Sequence, residues 1–335
     1  MLTTPVISNL TVSGLPQLIR RELGERTLAQ AVRAAGVDLE TIEGESCFIP
    51  HAAALRFIET AAHAAGEVNF GLLMAPQMDV ANYGTYGRYI YAAETLGLAI
   101  GRAIEALAYH SNADTMALDI RGDEARFSYG FALAGRTGYH HVANVAAGAL
   151  LSVCRHFLSA NWRPLRIELD IPRPRQTAPF EDMFRCPVVF NAPMMTVVFD
   201  RNWLDARRST PAAGPIISIA DVARDRRGAA PRDTLGVISE HIRLQLRGGS
   251  MSIDSTARAM DTSIRTLQRE LNREGTDFRT LANAARAGRA HELLQHTDAS
   301  ITRIAAELGY STPANFSRAF RNATGMNPSA LRASD

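Results

Sequence analysis

Hydrophobic residues recur every three or four positions along several early stretches of the chain, which places them on one face of a helix. After Thr95, for example, Leu96, Ile100 and Ala103 repeat in this way. The spacing predicts helices at residues 17–36, 50–66, 96–107 and 139–160.

Between these helical stretches the hydrophobic period falls to two. A turn at 121–123 separates two alternating segments, and the second carries the aromatic residues Phe127, Tyr129 and Phe131. This pattern predicts a β-hairpin with an aromatic inner face. Further alternation predicts a half-buried strand at 165–171 and a closing pair of strands at 188–190 and 196–199. Residues 1–205 are therefore expected to form an α+β domain, an antiparallel sheet with helices packed on one face.

The composition changes after this domain. Residues 206–232 are rich in Arg, Ala and Gly, include three prolines, and are predicted to be a linker. No strand pattern follows in residues 233–335, where six or seven short helices each carry a start or stop signal. The second domain is expected to be all-α.

The charged residues narrow the possible chemistry. The chain has 335 residues with 36 basic and 34 acidic side chains, and every basic residue is arginine. A phosphate-loop lysine, a Schiff-base lysine, a kinase-type lysine and a serine–lysine dyad are therefore excluded. The formal net charge of +2 gives no evidence for nucleic-acid binding, so any basic surface must be local.

The cysteines and the hydropathy indicate where the protein works. Cys47, Cys154 and Cys186 are widely spaced and form no CxxC pair, which favours reduced thiols over a disulfide framework or a cysteine zinc site. We see no signal peptide, and no apolar run is long enough to span a bilayer. We expect a cytoplasmic protein without membrane contact.

The C-terminal domain contains a faint internal repeat. Ser263 corresponds to Thr312, 49 positions later, and Arg269 corresponds in the same way to Arg318. Each copy consists of a short helix, a tight turn, a Ser or Thr suited to an N-cap, and a second helix. The repeat predicts two helix-turn-helix motifs, at 252–273 and 300–322.

The second helix of each motif carries polar side chains suited to reading DNA. Arg265, Gln268 and Arg269 share one face of the first such helix, and Asn315 and Arg318 share the exposed face of the second. Arginine and glutamine match the edges of guanine and adenine in the major groove, so we expect these five residues to contact bases. The alternative is that these faces are the solvated sides of ordinary amphipathic helices. The occurrence of the same pattern in two copies argues against that alternative.

The other sides of the same helices have separate expected roles. Ile264, Leu267 and Leu271 are expected to point into the core of the first motif, as Phe316 and Phe320 are in the second. A further set of polar residues is positioned to contact DNA phosphates. These residues are Ser263, Thr312, Ser317 and Arg321.

The residues of the second domain resemble the AraC/XylS family of bacterial transcription regulators over about 234–332. The segment SIRTLQREL at 263–271 resembles the first recognition helix of the family. ITRIAAELGY at 301–310 with the helix after it resembles the second motif, and GMNP at 325–328 with Arg332 resembles the closing signature. The resemblance implies two helices in successive major-groove segments, ~34 Å apart. Leu331 and Pro313 depart from the family pattern, so we expect the second helix to read fewer bases.

The first domain resembles, over shorter segments, the arabinose-binding-type effector domain that one branch of this family carries. The resemblance is carried by FGLL at 70–73, AETL at 93–96, and CPVVF at 186–190 with VFD at 198–200. It implies an effector-binding module, for an unidentified small molecule, that could also dimerise. Together, the two resemblances imply a cytoplasmic regulator of promoter or operator DNA, a possible homodimer, which activates through RNA polymerase.

Candidate residues for the effector are aromatic and basic. Arg88 lies in a tyrosine-rich stretch with Tyr89, and Phe127 and Tyr129 lie on the expected inner face of the hairpin. These four residues could line an effector pocket. The alternative is that the aromatic residues are plain core.

The sequence gives little support for an enzymatic function. His291 and His296 resemble the zinc-protease HExxH motif, but their i, i+5 spacing does not put both on one helix face. There is no GxSxG or GxGxxG signature and no aspartate-rich metal loop, so we expect no catalytic residue, metal or cofactor. Two alternatives stay open: a ligand-independent dimeric regulator, and an enzyme domain tethered to a DNA-binding module.

Overall fold

A computed structural model describes residues 4–159, 161–208, 216–226, 228–249 and 251–332. The chain divides into two compact units. The N-terminal unit comprises Pro5–Ala35 and Ile42–Pro231, and the C-terminal unit comprises the described part of Arg232–Asp335 with the short segment Gly36–Thr41.

Among the described residues of the N-terminal unit, seven strands form two sheets. A small antiparallel pair joins β1 to β2, and the main sheet has the order β3-β4-β7-β5-β6. In the predicted hairpin, β3 pairs antiparallel with β4 and Leu118 lies opposite Phe127. The strands are β1 Val6–Ser8, β2 Phe48–Pro50, β3 Thr115–Arg121, β4 Glu124–Gly130, β5 Arg166–Glu168, β6 Val188–Val189 and β7 Met195–Asp200.

Two details of the predicted sheet are wrong. The sheet is mixed, because β5 and β6 run parallel. The segments expected to close as a pair do not touch as strands, since β6 and β7 lie on opposite sides of β5. The helix Ala178–Phe184 between β5 and β6 carries the chain back over the sheet, and such a crossover is what a parallel pairing needs.

Ten α-helices of the described chain precede Pro231. The helix expected at 17–36 is two helices, broken at Gly24, whose φ of 84° suits glycine. The helix expected at 139–160 ends at Phe157, and Ala160 lies outside the described residues. The helices are α1 Leu15–Leu23, α2 Glu25–Ala35, α3 Leu39–Glu43, α4 His51–Ala65, α5 Phe70–Met74, α6 Gly84–Tyr91, α7 Leu96–Glu105, α8 Tyr139–Phe157, α9 Ala178–Phe184 and α10 Ile219–Asp225.

Helix α8 is the central element of the N-terminal unit. It contacts α4, α5, α7 and β7, and most of its side chains are buried. Its close packing depends on Gly148, where a Cβ atom would come within 2.1 Å of the carbonyl oxygen of Ala75. The aromatic face of the hairpin is also buried, with Phe127 only 1% exposed, as the alternation predicts.

The interval predicted as a linker contains a helix and belongs to the N-terminal unit up to Pro231. α10 begins after Ser218, whose side chain and that of Asp221 form a capping box. Arg226 follows this helix and is only 4% exposed. Residues 209–215 and Arg227 of the predicted linker lie outside the described residues.

The C-terminal unit is helical in its described part, as predicted. Phe316, Phe320 and Leu294 are at most 2% exposed and form the centre of its core. None of the helices in the described ranges is long and apolar enough to cross a membrane. The helices are α11 Thr234–Arg247, α12 Ile253–Ala259, α13 Ile264–Arg273, α14 Phe278–His296, α15 Ile301–Glu307, α16 Pro313–Thr324 and α17 Pro328–Arg332.

The contact at Gly148 predicts a strong asymmetry between two glycine substitutions. Gly148→Ala should destabilise the N-terminal unit by ~1–3 kcal/mol, because its methyl group meets a backbone carbonyl that cannot move away freely. Gly101→Ala on α7 is the matched control, since no atom lies within 4 Å of its Cβ position. That control should stabilise by ~0.5–1 kcal/mol. Calorimetric unfolding of both variants checks the pair, and equal shifts would contradict the packing described here.

Candidate functional site

The first predicted motif is formed by α12, a tight turn and α13. Ser263 is the N-cap of α13, and its Oγ accepts a hydrogen bond of 3.1 Å from the backbone N–H of Thr266. Leu267 and Leu271 anchor the helix in the core, at 2% and 1% exposure. Ile264 does not join them, because it is 38% exposed at the first position of the helix. The expectation that Ile264 points into the core is therefore wrong.

The outer face of α13 presents unpaired hydrogen-bond donors. Arg265, Gln268 and Arg269 are all exposed. Arg265 and Gln268 form no side-chain hydrogen bond or ion pair with the described part of the chain. Arg269 lies 3.9 Å from Glu270, whose carboxylate is engaged at 2.8 Å by Arg273. All three side chains are therefore available to an external partner.

The second motif is formed by α15 and α16. Thr312 caps α16 by accepting a hydrogen bond of 3.2 Å from the N–H of Asn315. The Asn315 amide donates to the Oγ of Ser311 over 3.1 Å, whereas Arg318 is exposed without a polar partner in the described chain. Pro313 lies in the first turn of the helix, where its missing N–H has no helical partner to lose.

The four residues expected at phosphates differ in their surroundings. Ser263 and Thr312 already act as helix caps, so their hydroxyl oxygens have a structural role in the absence of DNA. Ser317 is half-buried, and Arg321 is exposed on the last turn of α16. Of the four, Arg321 has the charge and the exposure that a salt-dependent phosphate contact needs.

An apolar cavity of about 80 Å³ lies inside the N-terminal unit. This volume is the space open to the centre of a water molecule, and about 10–15 Å³ is enough for one water. Apolar side chains of α8 and α4 face the aromatic hairpin across it. The principal lining residues are Ile58, Tyr83, Tyr86, His110, Phe127, Tyr129, Phe131, Val145, Ala146 and Ala149.

Two of the four residues expected at an effector pocket line this cavity, and two do not. Phe127 and Tyr129 form part of its wall. Arg88 is exposed and donates a hydrogen bond of 2.8 Å to Thr85 Oγ1. The Tyr89 hydroxyl donates to Glu105, also over 2.8 Å. Neither Arg88 nor Tyr89 lines the cavity. The residues of this segment that do line it are Tyr83, Tyr86 and Ile90, which share one face at helical spacing.

Sequence reasoning missed the polar part of the cavity wall. The ring of His110 is stacked between Tyr83 and Tyr86, with centroid distances of 5.5 Å and 4.8 Å. Burial and the nearby Arg226 cation lower the pKa of His110 to about 3, so its imidazole is neutral near pH 7. Its Nδ1 atom is buried without a hydrogen-bond partner in the described chain.

A carboxylate lies directly behind this wall. Asp114 accepts hydrogen bonds from His51 Nε2 at 2.8 Å, from the Tyr129 hydroxyl at 2.5 Å and from the Ala132 N–H at 2.9 Å. Burial alone would raise the pKa of Asp114, but these partners outweigh it and hold the pKa below its usual value. The charge is satisfied within the protein and does not face the cavity.

Two known domains match the chain in the same order as the two units. Residues 26–207 match the arabinose-binding domain of AraC transcription regulator, N-terminal, and residues 256–334 match a helix-turn-helix domain. The ornithine utilization regulator of Pseudomonas aeruginosa is 25% identical over 275 residues, which is 80% of this chain and 79% of that protein.

Further relatives match over different lengths. The transcriptional activator RhrA of Rhizobium meliloti is 32% identical over 117 residues, 33% of this chain and 37% of that protein. The crystal structure of the regulator CdpR from Pseudomonas aeruginosa aligns over 78% of this chain and 86% of its own, with 24% identity and a TM-score of 0.38.

Together, the paired helix-turn-helix motifs and the domain matches define a DNA-binding transcription regulator with a small-molecule-binding N-terminal domain, not an enzyme. Among the described residues there is no cluster of three side chains that could hold a metal ion. The match to the N-terminal domain alone covers more than half of this chain. The chain therefore belongs to the AraC family of transcription regulators.

The cap at Ser263 predicts a local loss of stability that does not require DNA. Ser263→Ala should weaken α13 by ~0.5–2 kcal/mol, because the N–H of Thr266 loses its acceptor. Hydrogen–deuterium exchange of α13 amides in the free protein measures this loss. Ser329→Ala on α17 is a matched control at an exposed serine and should change protection by less than ~0.5 kcal/mol. Unchanged protection in Ser263→Ala with weaker DNA binding would instead assign the residue to a phosphate contact alone.

Proposed function

We propose that this regulator recognises one promoter or operator sequence through α13 and α16, under the control of a small molecule bound in the N-terminal cavity. The observation that carries the first part is the set of exposed, unpaired donors on α13, where Arg265 and Gln268 have no competing partner in the described chain. A donor without an internal partner exchanges only water for a base edge, so little stability is lost on binding.

The individual contacts follow from side-chain chemistry. Arg265 and Arg269 each offer a planar fork that fits the O6 and N7 atoms of guanine, and Gln268 fits the N6 and N7 atoms of adenine. On α16, Arg318 is the corresponding guanine reader and Asn315 the adenine reader. Because the Asn315 amide already donates to Ser311, we expect α16 to contribute less discrimination than α13.

The phosphate contacts are proposed at the ends of the same helices. Arg321 supplies a charged contact. The Thr312 hydroxyl can donate a hydrogen bond to a phosphate oxygen, and the Ser263 hydroxyl can do the same when Thr266 Oγ1, 2.9 Å away, is the donor of that pair. Ser317, half-buried beside Arg318, completes the set. These contacts fix the register of the helices without selecting a sequence.

A route from the cavity to the DNA-binding unit is supported by Arg226. This buried guanidinium donates to Ser8 Oγ and, over 3.3 Å, to the backbone oxygen of Tyr83, which lines the cavity. The chain continues from Arg226 to Pro231 and then into the C-terminal unit. A ligand that displaces Tyr83 therefore alters the anchor of the connecting segment, and with it the presentation of α13 and α16.

The sign of regulation and the partners are proposed from relatives. RhrA is named as a transcriptional activator, which supports activation here, with RNA polymerase as the contacted partner. A homodimer that binds two half-sites is the proposed assembly, in the cytoplasm where a bacterial chromosome lies. A ligand-independent dimeric regulator is the alternative, and the internal cavity of the N-terminal unit favours effector control over it.

Two arginine substitutions should separate base reading from phosphate contact. Arg269→Ala should weaken binding to a site selected from random DNA by ~1–3 kcal/mol and relax discrimination at one position. Arg321→Ala should weaken binding evenly across sequences and reduce the salt slope by about one. Arg243→Ala, at an exposed arginine of α11 paired with Glu240, is the control and should change neither property. Equal effects of Arg269→Ala and Arg321→Ala on selected and random DNA would refute this assignment.

The anchor at Arg226 predicts loss of coupling rather than loss of DNA binding. Arg226→Ala removes the hydrogen bonds to Ser8 and Tyr83, so an effector should no longer change the affinity for the selected site. Basal affinity without effector should stay within a few-fold of the unsubstituted protein. Arg224→Ala, an exposed neighbour on α10 paired with Asp221, should leave the coupling intact. Fluorescence anisotropy with labelled DNA, with and without effector, measures both quantities, and a full effector response in Arg226→Ala would exclude this route.

A further inference from the structure

The residues that line the cavity share one property: none carries a formal charge. They are aliphatic and aromatic side chains with one threonine, three tyrosines and one histidine, and that histidine is neutral near pH 7. A ligand carboxylate or ammonium group placed here would lose its water without gaining a charged partner in the wall, which is a large free-energy penalty.

Two buried charged groups, Asp114 and Arg226, lie behind the wall and form hydrogen bonds within the protein. Asp114 accepts three hydrogen bonds within the protein. Arg226 donates to Ser8 and to the Tyr83 backbone, and it does not line the cavity. Neither group lines the cavity, so neither is placed to neutralise a charged ligand there.

The hydrogen-bonding capacity of the wall is also limited. The hydroxyls of Thr11, Tyr86 and Tyr129 donate to Ser8, Ala103 and Asp114 respectively. That leaves the Tyr83 and His110 side chains, which form no hydrogen bond with the described part of the chain. These two residues are neighbours in the aromatic stack, so the remaining polar capacity of an otherwise apolar wall lies in one place.

From this distribution we propose that the effector is an uncharged, mainly apolar molecule with a single polar oxygen or amide group, which pairs at Tyr83 and His110. The proposal rests on effector control as stated above and specifies the ligand class of that site. Sugars carry too many hydroxyl groups for this wall, and an amino acid such as ornithine carries charges that nothing in the wall neutralises.

A matched pair of probes tests the absence of charge. p-Toluamide and p-toluate are similar in shape, and only the second is ionised at pH 7. Calorimetric titration of the full chain should give at least about a hundredfold tighter binding of p-toluamide, since the carboxylate must be buried without a partner. Equal or tighter binding of p-toluate, arabinose or ornithine would overturn the proposal, as would the absence of p-toluamide binding up to its solubility limit.

Substitutions locate the binding in the cavity. Ala146→Leu adds bulk to the lining of α8 and should weaken p-toluamide binding at least about tenfold. Ala64→Leu makes the same change at an exposed position of α4 and should leave binding unchanged. Thermal unfolding of both variants confirms that each is folded. Equal affinities in the two variants would place the ligand elsewhere and overturn the proposal.

The pairing of the ligand's polar group with Tyr83 is tested separately. Tyr83→Phe removes only a hydroxyl and should weaken p-cresol about three- to tenfold while leaving toluene unchanged. The same loss for both probes, or for neither, would overturn the assignment of the polar group to Tyr83.

A DNA-binding readout separates this proposal from effector control itself. If neutral probes bind in the cavity but never change the affinity for the selected DNA site, the ligand class stands and effector control fails. If a charged metabolite or a sugar changes that affinity and neutral probes do not bind, effector control stands and the ligand class is overturned.

Discussion

The buried carboxylate of Asp114 is the interaction on which the N-terminal unit depends. It connects α4 through His51, strand β4 through Tyr129, and the chain after the hairpin through the Ala132 N–H. Removing any one partner would leave a buried charge incompletely satisfied, and such groups are costly in a low-dielectric interior. The hydrogen bond from the Tyr129 hydroxyl to Asp114 also fixes the Tyr129 ring in the cavity wall. One contact therefore satisfies the buried charge and shapes an uncharged cavity.

The two functional regions are stabilised in different ways. The recognition helices are held by local contacts, a cap at each N-terminus and two large apolar side chains in the core, which suits surfaces that must keep one shape. The cavity instead lies between elements that are distant in sequence, so its shape depends on tertiary packing. Arg226 connects the wall of this cavity, at the backbone oxygen of Tyr83, to the segment that leads to the other unit.

This difference between local and long-range contacts also explains how much of each region could be predicted from the sequence. The helix-turn-helix motifs were predictable because caps, turns and helical spacing lie within about twenty residues, and the structure confirms them. The cavity was only partly predictable. The alternation in β4 identified Phe127 and Tyr129, but the contribution of His110 depends on a long-range stack with Tyr83. Arg226 lies in an arginine-rich interval where composition alone could not distinguish one buried guanidinium from solvated neighbours.

Whether an arginine is available to contact DNA depends on its ion pairs with nearby carboxylates, and not on how many arginines the chain has. Within the C-terminal unit many arginines are neutralised locally, as Arg273 is by Glu270 and Arg258 by Asp254. Such ion pairs contribute little stability at an exposed surface, but each competes with a phosphate for its guanidinium. Arg265, Arg318 and Arg321 form no ion pair within the described chain. In a nearly neutral protein, arginines paired in this way add little affinity for arbitrary DNA, whereas the unpaired donors of α13 and α16 stay available for one site.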